Sequence, residues 1–468
     1  MPLPVISVAQ MRDWEERTWA SGISEETVIA AAGLAVARAA MSATPEGATL
    51  ILLAGPGDNG ADTRIAAENI TGRSIHLIDG ADPVTACREF KQLLDQRPSI
   101  LVDGLFGIGI NRPLDEDFLE LVEAVNSSGL PVLAVDCPSG FNCDTGEIMG
   151  DAIRAFTTIT LGGLKEAILN PSADEYVGRI VVADDIGLIE PAPAGRQLWL
   201  TDADMHGMPP RRALGSHKGT YGHLGIIAGN TGYHGAACLA SRAALRARPG
   251  LLSVFTPAYN ALAAHLQEAM VHPWSPAITT PMSGCTAILA GPGLAGEDLP
   301  DSLTNVVRDL WVHSDNPMIV DASALGWLPK GERQTEAVRV ITPHPGEAAR
   351  MLGAGVEEVQ SDRFTATRRL AVQFDCTAVL KGRHTLIGQA EGPMLTNSTG
   401  NPGLGRGGSG DVLAGFLAAH LAQPQFQARS IQAIAYAVWK HGQASDKLES
   451  EGRYWGMDDL INGLGEWN

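Results

Sequence analysis

Positive charge is scarce in this chain. It carries 34 lysines and arginines against 53 aspartates and glutamates, a formal net charge of −19 over 468 residues. Such an acidic surface repels phosphate backbones and anionic lipid headgroups, so nucleic acid and membranes are not expected partners. Phosphate sites built from backbone N–H groups stay open, because they need no net positive charge. Long apolar runs are missing too. The uncharged stretch 27–37 is far shorter than the roughly 20 residues of a membrane-spanning helix. The stretch 412–428 is interrupted by His420, Gln423, Pro424, Gln425 and Gln427. The opening residues Met1-Pro-Leu-Pro-Val-Ile-Ser7 lack the basic start and apolar core of a secretion signal. Cysteine is sparse and scattered: Cys87, Cys137, Cys143, Cys238, Cys285 and Cys376 form no C-x-x-C pair and no His-Cys cluster. That usage argues for a reducing compartment and against structural zinc or a disulfide framework. The cytoplasm is the expected location.

What is present suits a large globular protein. Hydrophobic residues make up 45% of the chain and charged residues 19%, which supplies apolar surface for real cores. Short apolar runs at 49–54, 100–103, 132–136, 224–228, 287–290, 318–321, 338–342 and 377–381 end in Gly, Pro or Asp, or just before one. Most are followed by a helix-like stretch. This alternation predicts an α/β protein with mainly parallel strands and its chemistry at their C-terminal ends. The segment 188–216 breaks the rhythm with Pro191, Pro193, Pro209 and Pro210 and reads as an interdomain connection. An N-terminal domain over 1–195 and a C-terminal domain over 205–468 result.

The sharpest local feature is Asn397-Ser-Thr-Gly-Asn-Pro-Gly-Leu-Gly-Arg-Gly-Gly-Ser-Gly-Asp411, followed at once by an apolar run. A Gly-rich turn feeding a helix N-terminus aims several N–H groups and the positive end of the helix dipole at one spot, which suits a phosphate. Asp411 falls in the first turn, where a carboxylate can act as a base toward a substrate hydroxyl. An isolated Gly-x-Gly-Asp is equally well read as a loop with a capping aspartate. The chain has neither a Walker A lysine nor a dinucleotide-binding glycine fingerprint, which disfavours those two phosphate folds.

Further motifs occur in order. Ser216-His-Lys-Gly-Thr-Tyr-Gly-His223, Gly235-Ala-Ala-Cys-Leu-Ala240, Ile341-Thr-Pro-His-Pro-Gly-Glu347, Val379-Leu-Lys-Gly382 and Lys440-His-Gly-Gln-Ala-Ser-Asp446 accompany Gly407-Gly-Ser-Gly-Asp411. Together they resemble the ribokinase-like dehydratase half of the bifunctional NAD(P)H-hydrate repair family, the YjeF type, from about residue 209 to the end. The resemblance implies that ADP, or ATP, phosphorylates the hydroxyl of a hydrated nicotinamide, with Mg2+ accompanying the nucleotide. Phosphate then leaves and NAD(P)H is regenerated. It implies Asp411 as catalytic base and Gly408, Ser409 and Gly410 as anion hole. Lys381, Gly382, Arg383, His384 and Thr385, with Asn401, Gly403, Gly405 and Gly407 to Gly410, would hold the nucleotide. His344, Pro345, Gly346 and Glu347, with Gly235 or Ala236, would hold the hydrate. Plainer readings stand beside these: His344 as a loop residue, Glu347 as a helix cap, Lys381 as a solvated strand end. Two positions depart from the pattern: Asp321-Ala-Ser323 replaces Asp-Ala-Asp, and Arg406 stands where the family has a small residue, a place beside phosphate where an arginine is comfortable.

In the N-terminal half, Ile51-Leu-Leu-Ala-Gly-Pro-Gly-Asp-Asn-Gly-Ala-Asp62 reads as strand, glycine-rich turn and helix. Two further strand ends carry Asp103 and Asp136, the latter followed by Cys-Pro-Ser139. Adjacent parallel strands bring their ends together, so Asn59, Asp103, Asp136 and Ser139 are candidates for one crevice. An all-oxygen set suits a hard cation rather than zinc; alternatively the acids only end strands and cap helices. These segments resemble the epimerase half of the same family, a Rossmann-like three-layer domain, over roughly 7–187. The resemblance implies interconversion of R- and S-NADHX and NADPHX, with K+ held by Asn59, Asp103 and Ser139. Asp58, Asn59, Gly60, Asp62, Gly107, Gly109 and the catalytic Asp136 would face the hydrate. The family's Asn-Asn-Gly-Gly-Asp-Gly reads Asp58-Asn-Gly-Ala-Asp-Thr63 here, and its Met-Glu-Asn-Ala-Gly reads Ile29-Ala-Ala-Ala-Gly33. Ala61 and Thr63 replace glycines that permit positive φ or close approach. The expected assembly is a homo-oligomer. Two other readings are a kinase releasing a stable phosphorylated product, and a dehydratase with a non-catalytic N-terminal binding module.

Overall fold

A computed structural model describes residues 2–190, 192–278, 282–331 and 333–466; Pro191 of the expected connection lies outside them. The chain divides into two units, Leu3–Gln197 and Leu198–Asn468. Among the described residues no helix is long and apolar enough to cross a membrane.

The N-terminal unit contains β1 (Leu3–Ile6), β2 (Thr49–Ala54), β3 (Ser74–Asp79), β4 (Ile100–Gly104), β5 (Val132–Val135), β6 (Thr157–Leu161), β7 (Leu164–Lys165) and β8 (Arg179–Ala183). Six of them form a parallel sheet in the order β3-β2-β4-β5-β6-β8. Side chains alternate across a strand, so Leu50 and Leu52 pack with helices Glu25–Ser42 and Asp58–Asn69 on one face. Ile51 and Leu53 pack with helices Pro83–Leu93 and Glu116–Ser127 on the other. Three layers result. In register Leu53 lies opposite Asp103, and Asp103 opposite Ala134, so the ends of β2, β4 and β5 stand side by side.

One expectation is corrected here. Cys137 and Cys143 are joined by a disulfide. After β5 the chain doubles back, with Phe141 bridged to Ile148 and the Gly146 N–H donating to the Asn142 carbonyl, which brings two cysteines six residues apart face to face. Scattered spacing does not reveal such a turn. With a disulfide present, cysteine usage stops being an argument for a reducing compartment. Cys87, Cys238, Cys285 and Cys376 are free.

The short β9 (Gln197–Trp199) straddles the boundary. The C-terminal unit then contains β10 (His223–Ile227), β11 (Leu251–Thr256), β12 (Met270–Pro273), β13 (Ala287–Ala290), β14 (Met318–Val320), β15 (Arg339–Ile341), β16 (Thr377–Leu380), β17 (Leu386–Gly388) and β18 (Met394–Thr396). Strands from β12 to β16 run parallel in the order β12-β11-β10-β13-β14-β15-β16, and β17 and β18 follow antiparallel. Helix Ser409–Leu421 is buried all along from Val412 to Leu421, as a sequence apolar around most of its circumference requires, and it takes His420 inside with it. It presses on helix His234–Arg246 so closely that a Cβ on Gly415 would stand 1.9 Å from the Ala240 carbonyl oxygen. Only glycine permits that contact, and the contact fixes where the first turn of the helix points.

Candidate functional site

In the C-terminal unit, the chain just beyond β14 and β16 meets the start of helix Ser409–Leu421. Lys381, the first residue past β16, sets its Nζ 2.7 Å from Asp321 Oδ1 and 4.0 Å from Glu347 Oε2. Asp321 follows β14, is 2% exposed, and also accepts a hydrogen bond from Thr342 Oγ1 at 2.7 Å. A Cβ on Gly410 would lie 3.2 Å from Lys381 Nζ, so the ion pair sits against the turn that carries Asp411. Burial, and the negative charge of Asp321 nearby, push the Asp411 carboxyl up to about 6; Lys381 opposes them and Glu347 adds to them. Burial works against the Lys381 charge, but Asp321 and Glu347 hold its ammonium above the ordinary range. Lys381 is therefore no solvated strand end. A base that is ionised at neutral pH, next to a turn of glycine N–H groups and a half-buried cation, can take a proton from a hydroxyl as negative charge develops on a phosphate.

His344 caps helix Pro345–Leu352: its Nδ1 accepts the Gly346 N–H at 3.1 Å, and Glu347 Oε2 accepts the His344 N–H at 2.8 Å. The cap holds the Glu347 carboxylate toward Lys381, so the capping and site readings of Glu347 are compatible. Gly235 and Ala236 open helix His234–Arg246. Gly235 has free space around it, and Ala236 touches the turn at Gly293 after β13.

The turn 382–385 is braced from behind by Arg363, whose guanidinium donates to the carbonyls of Leu380, Lys381 and Arg383. Gly382 has φ +137°, where a Cβ would meet Arg363. Thr385 Oγ1 donates to the Gly382 carbonyl at 3.0 Å. The His384 ring lies 5.1 Å from Trp199, and burial pulls its pKa down to about 3, so it is a neutral packing group. Asn401 shapes the glycine loop: it accepts the Gly403 N–H at 2.9 Å and donates to Asp446 at 3.0 Å. Arg406 has its guanidinium 4.2 Å from the Trp455 ring centre and donates to the carbonyls of Gly403 and Trp455. Those contacts commit it to bracing the loop, a different task from the phosphate contact its position suggests. Gly405 and Gly407 are exposed. Gly408 opens the helix at φ +98°, with room for a Cβ blocked 2.6 Å away by Leu239. Gly408→Val is expected to cost about 1–3 kcal/mol in backbone strain. It should lower nucleotide-dependent turnover by roughly 10² or more by moving the N–H groups. Parent-like kinetics in a variant with parent-like circular dichroism would make the loop conformation irrelevant.

In the N-terminal unit the strand ends open on a cavity of about 540 Å³. Asp58, Asn59, Asp62, Gly107, Gly109 and Asp136 all line it. Gly60 lies beneath, where a Cβ would stand 1.8 Å from the Gly55 carbonyl oxygen. Asp103 is fully buried; it accepts the Ser139 hydroxyl at 2.6 Å and N–H at 2.9 Å, and the Leu105 N–H at 3.2 Å. Burial pushes its carboxyl up to about 6 despite those bonds. The Asn59 carbonyl packs against Gly104, the residue after Asp103, where a Cβ would stand 3.0 Å away, and Asn59 Nδ2 is buried without a hydrogen-bond partner among the described residues. Oxygen-rich and anionic, this group fits a weakly hydrated cation.

Asp136 has φ +62°, a conformation that is costly outside glycine and clusters at functional sites. Its Oδ1 accepts from Lys165 Nζ at 2.5 Å and the Leu161 N–H at 3.0 Å. Lys165 is 1% exposed. Neither Lys165 nor Glu15, which also lines the cavity, stood out in the sequence. The available signal for Lys165 was weak: a lysine four residues after the apolar strand β6, a placement that by itself reads as a solvated strand end. The backbone accommodates Ala61 and Thr63: neither has a positive φ, and Thr63 Oγ1 donates to the Asn59 carbonyl at 2.8 Å. Gly104 makes the space, since a Cβ there would stand 1.8 Å from Thr63 Oγ1.

Residues 224–462 match the family model described as NAD(P)H-hydrate dehydratase, and residues 80–167 the one described as YjeF-related protein N-terminus. A Coxiella burnetii protein named bifunctional NAD(P)H-hydrate repair enzyme Nnr is 33% identical, the match covering 95% of this chain and 94% of that protein. An Escherichia coli protein of the same name is 32% identical over 91% and 86%, respectively. A solved ribokinase-like superfamily protein from Enterococcus faecalis is 27% identical with a TM-score of 0.52, covering 59% of this chain and 97% of its own.

Proposed function

The chain belongs to the bifunctional NAD(P)H-hydrate repair enzymes, and from that premise we propose that its two units divide the repair of hydrated NADH and NADPH between them. The C-terminal unit dehydrates S-NAD(P)HX at the expense of ADP or ATP. Asp411 takes the proton of the hydrate hydroxyl as its oxygen attacks the terminal phosphorus of the nucleotide. The N–H groups of Gly408, Ser409 and Gly410 and the Lys381 ammonium meet the developing charge. Phosphorylation turns a poor leaving group into a good one, and loss of phosphate and a ring proton restores the dihydronicotinamide. Mg2+ would enter with the nucleotide as its counter-ion. The observation that carries this reading is the raised Asp411 carboxyl beside the Lys381–Asp321 ion pair.

The N-terminal unit epimerises R- and S-NAD(P)HX in its 540 Å³ cavity. Asn59, Asp103 and Ser139 would hold K+, whose charge would offset the buried Asp103 and the ligand's diphosphate. Asp136, oriented by Lys165, faces the hydrate.

The test is to incubate the protein with S-NADHX and ADP or ATP in Mg2+ and follow NADH absorbance and inorganic phosphate. Both should rise together; a stable phosphorylated product would instead favour a kinase. With R-NADHX, K+ and no nucleotide, the S form should appear faster than in buffer. Absence of acceleration would leave the N-terminal unit as a binding module. The pH profile tests the base. The Asp411 carboxyl titrates at about 6, and only its ionised form accepts a proton. Dehydration kcat/KM should therefore be level at neutral pH and fall about tenfold per unit below pH 6. A profile that stays level to pH 5 would take Asp411 out of the base role.

A further inference from the structure

Two buried carboxyl groups line the cavity of the N-terminal unit in different company. Asp136 is paired with Lys165 at 2.5 Å. Asp62 lies at 6% exposure on helix Asp58–Asn69, and its Oδ1 is buried with no hydrogen-bond partner among the described residues. The charges facing Asp62 are mainly of its own sign. Asp136 follows β5, Asp58 lies on the same helix, and Glu15 comes from helix Val8–Ala20; Lys165, the cation among them, is already engaged by Asp136. Burial and these carboxylates push Asp62 up to about 8. A buried polar group without a partner costs stability, and helix capping does not account for this one, since Asp62 lies past the first turn of the helix, whose N-cap position is Gly57. Two carboxyls in one cavity, one buried without a partner and one paired with a lysine, have the makings of an acid and its electrostatic partner.

We propose that Asp62 is the general acid of the epimerisation, acting opposite the Lys165-held carboxylate of Asp136. The assignment rests on the epimerase reading of this unit. In the hydrate the hydroxyl stands on the ring carbon bonded to the ring nitrogen. Asp62 gives its proton to that hydroxyl; the C–O bond breaks and its electron pair leaves with the oxygen as water. The nitrogen lone pair closes the gap as a C=N+ bond, whose charge faces the Asp136 carboxylate. Water then adds to the opposite face of the same carbon, the C=N+ pair returns to nitrogen, and the surplus proton of the added water returns to Asp62. One water leaves, one enters, and nothing is oxidised or reduced.

The test uses the full-length protein with R-NADHX in K+ buffer without nucleotide. The parent should epimerise, with a rate that falls as pH rises past about 8. Asp62→Asn, which keeps the shape and removes the proton, should lose about 10² or more in kcat with little change in KM. Asp62→Glu should recover part of the rate together with the high-pH decline. A carboxylic-acid C=O infrared band should be present at pH 7 in the parent and missing in Asp62→Asn. Asp62→Asn within about threefold of the parent, or a high-pH decline that survives in it, overturns the acid role alone. A parent that converts S-NADHX with nucleotide yet never accelerates epimerisation overturns the epimerase reading, and the acid role with it.

Discussion

Asp411→Asn is expected to lose about 10²- to 10⁴-fold in dehydration turnover while melting no lower than the parent. The helix that carries Asp411 is fixed by its buried length and by the Gly415 contact with Ala240, so an isosteric amide leaves the loop where it was. What changes is proton-accepting power. The stability expectation follows from the direction of the shift. The folded pKa, about 6, lies above the ordinary 3.8, so the folded chain binds this proton more tightly than the unfolded chain. The group favours folding in acid, and that contribution is lost as pH rises through 6. At pH 7 the ionised carboxylate is therefore a burden on the fold, and asparagine removes it. Near-parent turnover in this variant would remove Asp411 from the mechanism. A large fall in melting temperature would mean that the activity loss reports damage instead.

Lys165→Met is expected to destabilise the N-terminal unit by about 3–5 kcal/mol, because it leaves the Asp136 carboxylate buried without its cation. Lys165 is 1% exposed and the Asp136 side chain 11%, so water cannot screen the loss. The lysine also donates to the Leu161 carbonyl at 2.9 Å and to Thr160 at 3.2 Å, bonds that methionine cannot make. Epimerisation should fall along with stability, since Asp136 loses both its charge partner and its orientation. The double variant Lys165→Met with Asp136→Asn separates the terms. Removing both charges should restore a large part of the stability, and asparagine tolerates the positive φ at 136. Epimerase activity should stay low in the double variant. A single-variant loss below about 1 kcal/mol in chemical denaturation would mean that the pair is open to solvent.

Strand runs such as 49–54 and 287–290 were legible because a parallel strand buried on both faces must be apolar throughout. The helix after Asp411 was legible for the same reason. The turn that feeds helix Ser409–Leu421 could be read because a tight turn into a helix calls for glycine, as at Gly408 with φ +98°, a demand met within neighbouring residues. Partnerships across the sheet were not legible. Lys381 and Asp321 are 60 residues apart, Lys165 and Asp136 are 29 apart, and no periodicity links the members of either pair. The disulfide between Cys137 and Cys143 depends on a turn in space, as does the room that Gly104 makes for Thr63. Protonation state is further still from the sequence. Asp62, Asp103 and Asp411 are ordinary aspartates in the chain, and their raised pKa values come mainly from removal of water when helices close over the strand ends. Backbone needs and apolar periodicity are local and are written residue by residue. Desolvation and charge pairing exist only once distant segments meet, and they decide which of these aspartates carries a proton at neutral pH.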